Sequence, residues 1–167
     1  MRKLGSIYTI MAMMLAFPSC RAYAGQEASR LSIDNSMVGV FMQKSPLCTD
    51  PAAEDGVCAE KFQDCLSVKK SGNAYRVNLY SVQARQSICS FSYLMKPVHA
   101  SALAYTSPKH GAITVTFSHG KILVNSNGFD ASAAGNAICG AYADIDGIEF
   151  SKDSKVPQAP ECPSPIE

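Results

Sequence analysis

The chain has 167 residues, of which 17% are charged and 47% hydrophobic, a composition that excludes wholesale disorder. Its formal charge of +1 shows no basic stripe, which argues against a nucleic-acid partner. No apolar run of about 18 residues follows the N-terminal segment, so the sequence offers no transmembrane helix.

Arg2 and Lys3 open the chain, Ile7 to Phe17 is apolar, and Ala22-Tyr23-Ala24 gives the small-x-small pattern of a signal-peptidase site. Cleavage after Ala24 leaves 143 of the 167 residues, enough for one domain. Arg2, Lys3 and Arg21 leave with the signal, taking the 15 basic residues to twelve against 14 acidic ones. The alternative, lipoprotein processing at Cys20, fits poorly because Pro18 stands two places before it. Soluble export also leaves an even set of six cysteines: Cys48, Cys58, Cys65, Cys89, Cys139 and Cys162. In an exported chain that set reads as three disulfides. No Cys-x-x-Cys pair or zinc-knuckle spacing competes with that reading. The expected pairing is Cys89 with Cys139, a local bridge within the N-terminal trio, and Cys162 anchoring the tail. The short signal and the lack of an Asn-x-Ser/Thr site point to a bacterial periplasm, or to secretion.

Residues 25–34 form a lead-in, and the β domain is expected over 35–152. Val38, Val40 and Met42 alternate with Gly39 and Phe41. A loop with Pro46 and Pro51 follows, and Cys58, Phe62 and Cys65 fall at the spacing of a short helical turn over Val57–Cys65. Leu66 and Val68 lead to the turn Ser71-Gly72-Asn73, after which Tyr75, Val77 and Leu79 alternate with Arg76, Asn78 and Tyr80. Further strands are expected at Ile88–Met95, Ser101–Thr106, Ile113–Phe117 and Lys121–Val124, with a hairpin joint at His119-Gly120. Ala131–Ala143 reads as a short helix or an irregular crossing, and Ile148–Phe150 as a last strand. The tail over 153–167 holds Pro157, Pro160, Pro163 and Pro165 and is expected to be extended and tethered by Cys162. About seven short strands joined by tight turns make an all-β chain, an antiparallel β-barrel or sandwich closed by Val38–Met42 against Ile148–Phe150.

Catalytic signals are sparse. His110 and His119 flank a predicted hairpin and are candidate neighbours, but exposed turn histidines are the simpler reading. Asn125-x-Asn127-Gly128-x-Asp130 and Asp144-x-Asp146-Gly147 lack the complete ligand series of a calcium loop and read as turns. There is no Gly-x-Ser-x-Gly elbow, His-Glu-x-x-His or phosphate loop, so the expectation is a non-enzyme without metal or cofactor.

Lys69, Lys70, Ser71 and Gly72 stand at a predicted hairpin tip with Tyr75 at its base. Ammonium and hydroxyl donors on a convex loop suit an acidic cleft, such as the paired carboxylates of a glycoside hydrolase. The pattern Ser71-Gly72-x-x-Tyr75, on an exported, disulfide-containing β chain, resembles the Ser-Gly-x-x-Tyr signature of bacterial periplasmic lysozyme inhibitors. The stretch from Cys139-Gly140-x-Tyr142 to Phe150 is similar to the endings of small secreted lysozyme-inhibitor-like proteins. That resemblance implies a small β-barrel whose signature loop, Lys69, Lys70, Ser71, Gly72 and Tyr75, plugs a lysozyme-type hydrolase, with Lys121 as a candidate on a second loop. Rival expectations are a periplasmic immunity protein against a delivered toxin, and a non-catalytic envelope or ligand-binding β domain. The oligomeric state is not readable from the sequence.

Overall fold

The structure is a computed structural model that describes residues 32–45, 63–131, 138–157 and 161–163. The expected signal peptide, Cys48, Cys58 and the loop around them lie outside the described residues. The strands are β1 (Gly39–Lys44), β2 (Gln63–Ser71), β3 (Ala74–Val82), β4 (Ile88–His99), β5 (Ala102–Ser107), β6 (Gly111–Ser118), β7 (Lys121–Asn125), β8 (Ile148–Ser151) and β9 (Lys155–Val156). All neighbouring strands are antiparallel, in the order β8-β7-β6-β5-β4-β3-β2-β1-β9. The all-β, barrel-like expectation holds, with nine described strands where about seven were expected. The described residues contain no α-helix, only three short 3₁₀ turns. No helix among them is long and apolar enough to cross a membrane.

Two sheet-switching devices curl this sheet. Within the 12-residue β4, Ile88–Met95 pairs with β3, whereas Lys96–His99 pairs with β5 around a register shift between Pro97 and His99. The second device is β8–β9. Ile148–Ser151 pairs with β7, the chain makes a 3₁₀ turn over Lys152–Ser154, and Lys155–Val156 then pairs with Val40–Phe41 of β1. The sheet therefore continues to Val156, beyond the boundary expected at 152. It also corrects the expected closure: β1 is laddered to β9, and β8 meets β1 through a side chain, Gln43 Nε2 donating to the Glu149 carbonyl at 2.6 Å.

Period-two alternation explains the core. Phe41, Leu66, Val68, Val77, Leu79, Phe91, Leu103, Ile113, Val115, Ile122, Val124 and Phe150 point inward and are buried. Each such side chain contributes about 1.5–3 kcal/mol by leaving water. Below Met95 and Tyr105 the β4–β5 ladder ends, and the long β7–β8 connection crosses that gap. Gly128 bridges Ala112, Ser90 N donates to the Ile138 carbonyl at 2.7 Å, and Gly140 N donates to that of Ile88 at 2.9 Å. Tyr93 and Tyr105 stack at 4.1 Å beneath Phe129. The segment expected as a helix or crossing is thus an irregular crossing over its described residues, 131 and 138–143.

Cys89 pairs with Cys139 as expected, fixing this crossing to β4 across 50 residues of chain. Of the N-terminal trio it is Cys65 that pairs with Cys162, 97 residues away; Cys48 and Cys58, which that pairing leaves for the expected local bridge, lie outside the described residues. The reason is strand geometry. Gln63–Cys65 belongs to β2 rather than to a helical turn, and Cys65 faces outward, forming a small cluster with Val40, Met42, Tyr80 and Cys162. The tail is tethered there, as anticipated.

Candidate functional site

The β2–β3 hairpin carries the residues singled out from sequence. Its ladder runs without interruption from Cys65↔Tyr80 to Ser71↔Ala74, so the turn is the two residues Gly72-Asn73. Gly72 takes φ +61 while Asn73 does not, the positive-first arrangement of a II′ turn that glycine accommodates without strain. The last β1–β2 pair is Gly39↔Val68, so Lys69, Lys70 and Ser71 overhang β1 by three residues, about 10 Å. Lys69 to Asn73 are exposed, and no atom lies within 4 Å of where a side chain on Gly72 would start. Tyr75 is 3% exposed, packed in the core beside its cross-strand neighbour Met95. It anchors the base of the hairpin rather than offering its ring to a partner.

Alternation splits the two lysines. Lys70 is opposite Tyr75 and shares the inward face, above the last core layer; Lys69 and Ser71 lie on the outward face with Arg76, the partner of Lys69. Lys69 is already engaged: its ammonium pairs with the Glu161 carboxylate, beside the tail's anchor at Cys162. The hydrogen bond and charge of Lys69 hold Glu161 below the usual carboxylate range. Arg76 was not singled out in the sequence reading, though a two-residue turn at 72–73 places it opposite Lys69; its Nη1 reaches Ser92 Oγ at 3.5 Å. Lys121 follows the β6–β7 turn at the same end of the barrel, because β2 and β6 run the same way, and it pairs with Glu149 at 2.8 Å.

The histidines make no pair. His110 precedes β6 and His119 follows it, so eight strand residues, about 27 Å, separate them. His110 packs its ring against Phe129, and His99 Nδ1 lies 3.1 Å from Ser101 Oγ. The Asp144–Asp146 turn is a hydrogen-bonded hinge: Asp144 Oδ1 accepts from Asp146 N at 3.1 Å, and Asp146 Oδ1 from Ser126 N. Among the described residues no group of three or more His, Cys, Asp or Glu side chains is placed to hold a metal ion.

At the opposite end from the hairpin tip, a cavity of about 500 Å³ opens at the seam between β1 and β8. On its floor the cross-strand row Gln43–Asp64–Ser81 replaces the apolar layer above it. Asp64 is 4% exposed and its Oδ1 accepts from Val82 N at 2.8 Å, with further bonds from the Ser81 and Gln43 side chains. Burial nevertheless pushes its pKa above the ordinary 3.8. This cavity had no signal in the sequence beyond the Asp144-x-Asp146 turn, since β1, β2 and β8 meet only in three dimensions. No protein-family model, curated protein or solved structure matches the chain.

Proposed function

We propose that the protein is an exported, periplasmic binding domain that inhibits a lysozyme or related cell-wall hydrolase with its β2–β3 tip. The observation that carries this reading is the overhang: an exposed, unhindered turn at Gly72 on a hairpin locked by its ladder, by buried Tyr75 and by the Cys65–Cys162 bridge. Rigidity matters because a preorganised loop loses little conformational entropy on binding. Ser71 Oγ donates to the paired catalytic carboxylates, the Lys70 ammonium meets the groove's wall from the other face of the hairpin, and Gly72 lets the backbone approach. Arg76 and Lys69 flank the entry, and Lys69 exchanges Glu161 for a carboxylate of the target. The mechanism is steric and electrostatic, without a cofactor and without catalysis by this chain.

The test is lysis of bacterial cell walls, followed by turbidity, with the oxidised protein at several salt concentrations. Wild type inhibits, and potency falls as salt screens the charges. Ser71→Tyr with Gly72→Tyr loses inhibition while the disulfides and the strand signals persist. Retained potency in that double variant would exclude the hairpin as the inhibitory element.

A further inference from the structure

We propose that the cavity at the β1–β8 seam binds a small organic cation, a primary ammonium or guanidinium on a short aliphatic body. This site is independent of the hairpin reading and lies at the other end of the barrel. Three observations carry it. The cavity, about 500 Å³, is of the size that holds small ligands. Among the described residues its lining includes Asp64, Asp144, Asp146 and Glu149 but no lysine, arginine or histidine. And Asp64 on its floor is the one charged residue buried among the described residues, with donors (Val82 N, Ser81, Gln43) that are all uncharged.

That last observation separates the cavity from an ordinary acidic rim. A buried carboxylate whose described donors are all uncharged is costly to keep charged, and an ammonium seated over it supplies a counter-charge. The rim carboxylates have local work: Asp144 and Asp146 receive backbone N–H groups, and Glu149 pairs with Lys121. They add a negative field around the mouth, which concentrates cations. A bare metal ion is the wrong ligand, because among the described residues no three acidic groups are placed to hold one. An aliphatic body is indicated by Val82, Ala84 and Ile148, which supply the apolar part of the wall.

The experiment is a titration of the oxidised, ¹⁵N-labelled protein, followed by amide spectra, with putrescine, agmatine, uncharged 1,4-butanediol and calcium chloride. Putrescine or agmatine shifts the Val82 and Gly147 amides saturably, and butanediol and calcium do not. Asp64→Asn, which keeps an acceptor for Val82 N, weakens binding by about tenfold or more, the worth of a charge-assisted hydrogen bond. Ala84→Trp, which fills the mouth from an exposed position and leaves Asp64 intact, blocks binding as well. The proposal is overturned if neither amine gives a saturable shift, if butanediol or calcium shifts the same amides equally, or if Ala84→Trp binds as wild type does. Inhibition of a hydrolase by the opposite end is unaffected by both variants, so failure of either idea is visible separately.

Discussion

Replacing Gly111 by alanine tests how the β7–β8 crossing is held to the barrel. Gly111 opens β6 at φ +87, and a Cβ built there meets the Gly128 carbonyl oxygen at 2.4 Å, a contact that only backbone movement relieves. Gly120, in the β6–β7 turn, has a similar φ of +82 but nothing within 4 Å of the same atom. Both alanines bear the left-handed conformational cost, about 1–2 kcal/mol. Only Gly111→Ala also pushes Gly128 away, opening the Ala112–Gly128 bridge and the bond from Asp130 N to the His110 carbonyl, 2.9 Å long. At about 1 kcal/mol per bond, the expected difference between the two variants is about 2 kcal/mol. For a chain of this size that is a Tm difference of roughly 5–10 °C, read by circular dichroism on the oxidised proteins. Amide exchange at Asp130 accelerates in Gly111→Ala and not in Gly120→Ala. Equal losses of Tm in the two variants would refute the close approach of the crossing to β6.

Other perturbations read separate parts of the account. Folding raises the pKa of Asp64, so the native state binds its proton more tightly than the unfolded chain does; the cost of the buried charge is absent below the ordinary value of 3.8 and present once pH exceeds the native pKa. Asp64→Asn is therefore expected to gain stability relative to wild type on going from acid to neutral pH, and a Tm difference that does not move with pH contradicts the buried charge. Ser67 Oγ is buried with no partner among the described residues, so Ser67→Ala costs nothing and raises stability by up to about 1 kcal/mol in denaturant titration; a loss of more than about 1 kcal/mol would reveal a missing bond. Phe41→Ala, in the middle of the core on β1, is expected to cost about 3–5 kcal/mol, and urea midpoints close to wild type would show that β1 is not integral to the barrel.

The class of fold was legible because alternation is a local property. Tyr75, Val77 and Leu79, or Ile113, Val115 and Phe117, declare their strands without any partner, and the two-residue turns at Gly72-Asn73 and His119-Gly120 set their own registers. What depended on distant contacts was not legible. Nothing near Lys155 announces that it will lie opposite Phe41, and nothing near Cys65 announces a bond to Cys162. The helical spacing of Cys58, Phe62 and Cys65 misled because a period read from three residues is weak beside the ladder that Cys65 forms with Tyr80. At the hairpin the composition was readable, but its two faces required the register. That register puts Ser71 with Arg76 and Lys69, sets Lys70 apart, and hides Tyr75. The seam cavity needed closure itself, since Gln43, Asp64 and Glu149 come from three strands.

The most direct test of the hairpin claim is a footprint: amide spectra of the labelled, oxidised domain, recorded as unlabelled lysozyme is added. Lys70, Ser71, Gly72 and Asn73 are expected to shift first and most, with Arg76 beside them, and Lys70→Glu with Ser71→Tyr is expected to erase the shifts. A footprint on the β1–β8 seam, on the β4–β5 face, or nowhere on the domain would contradict it.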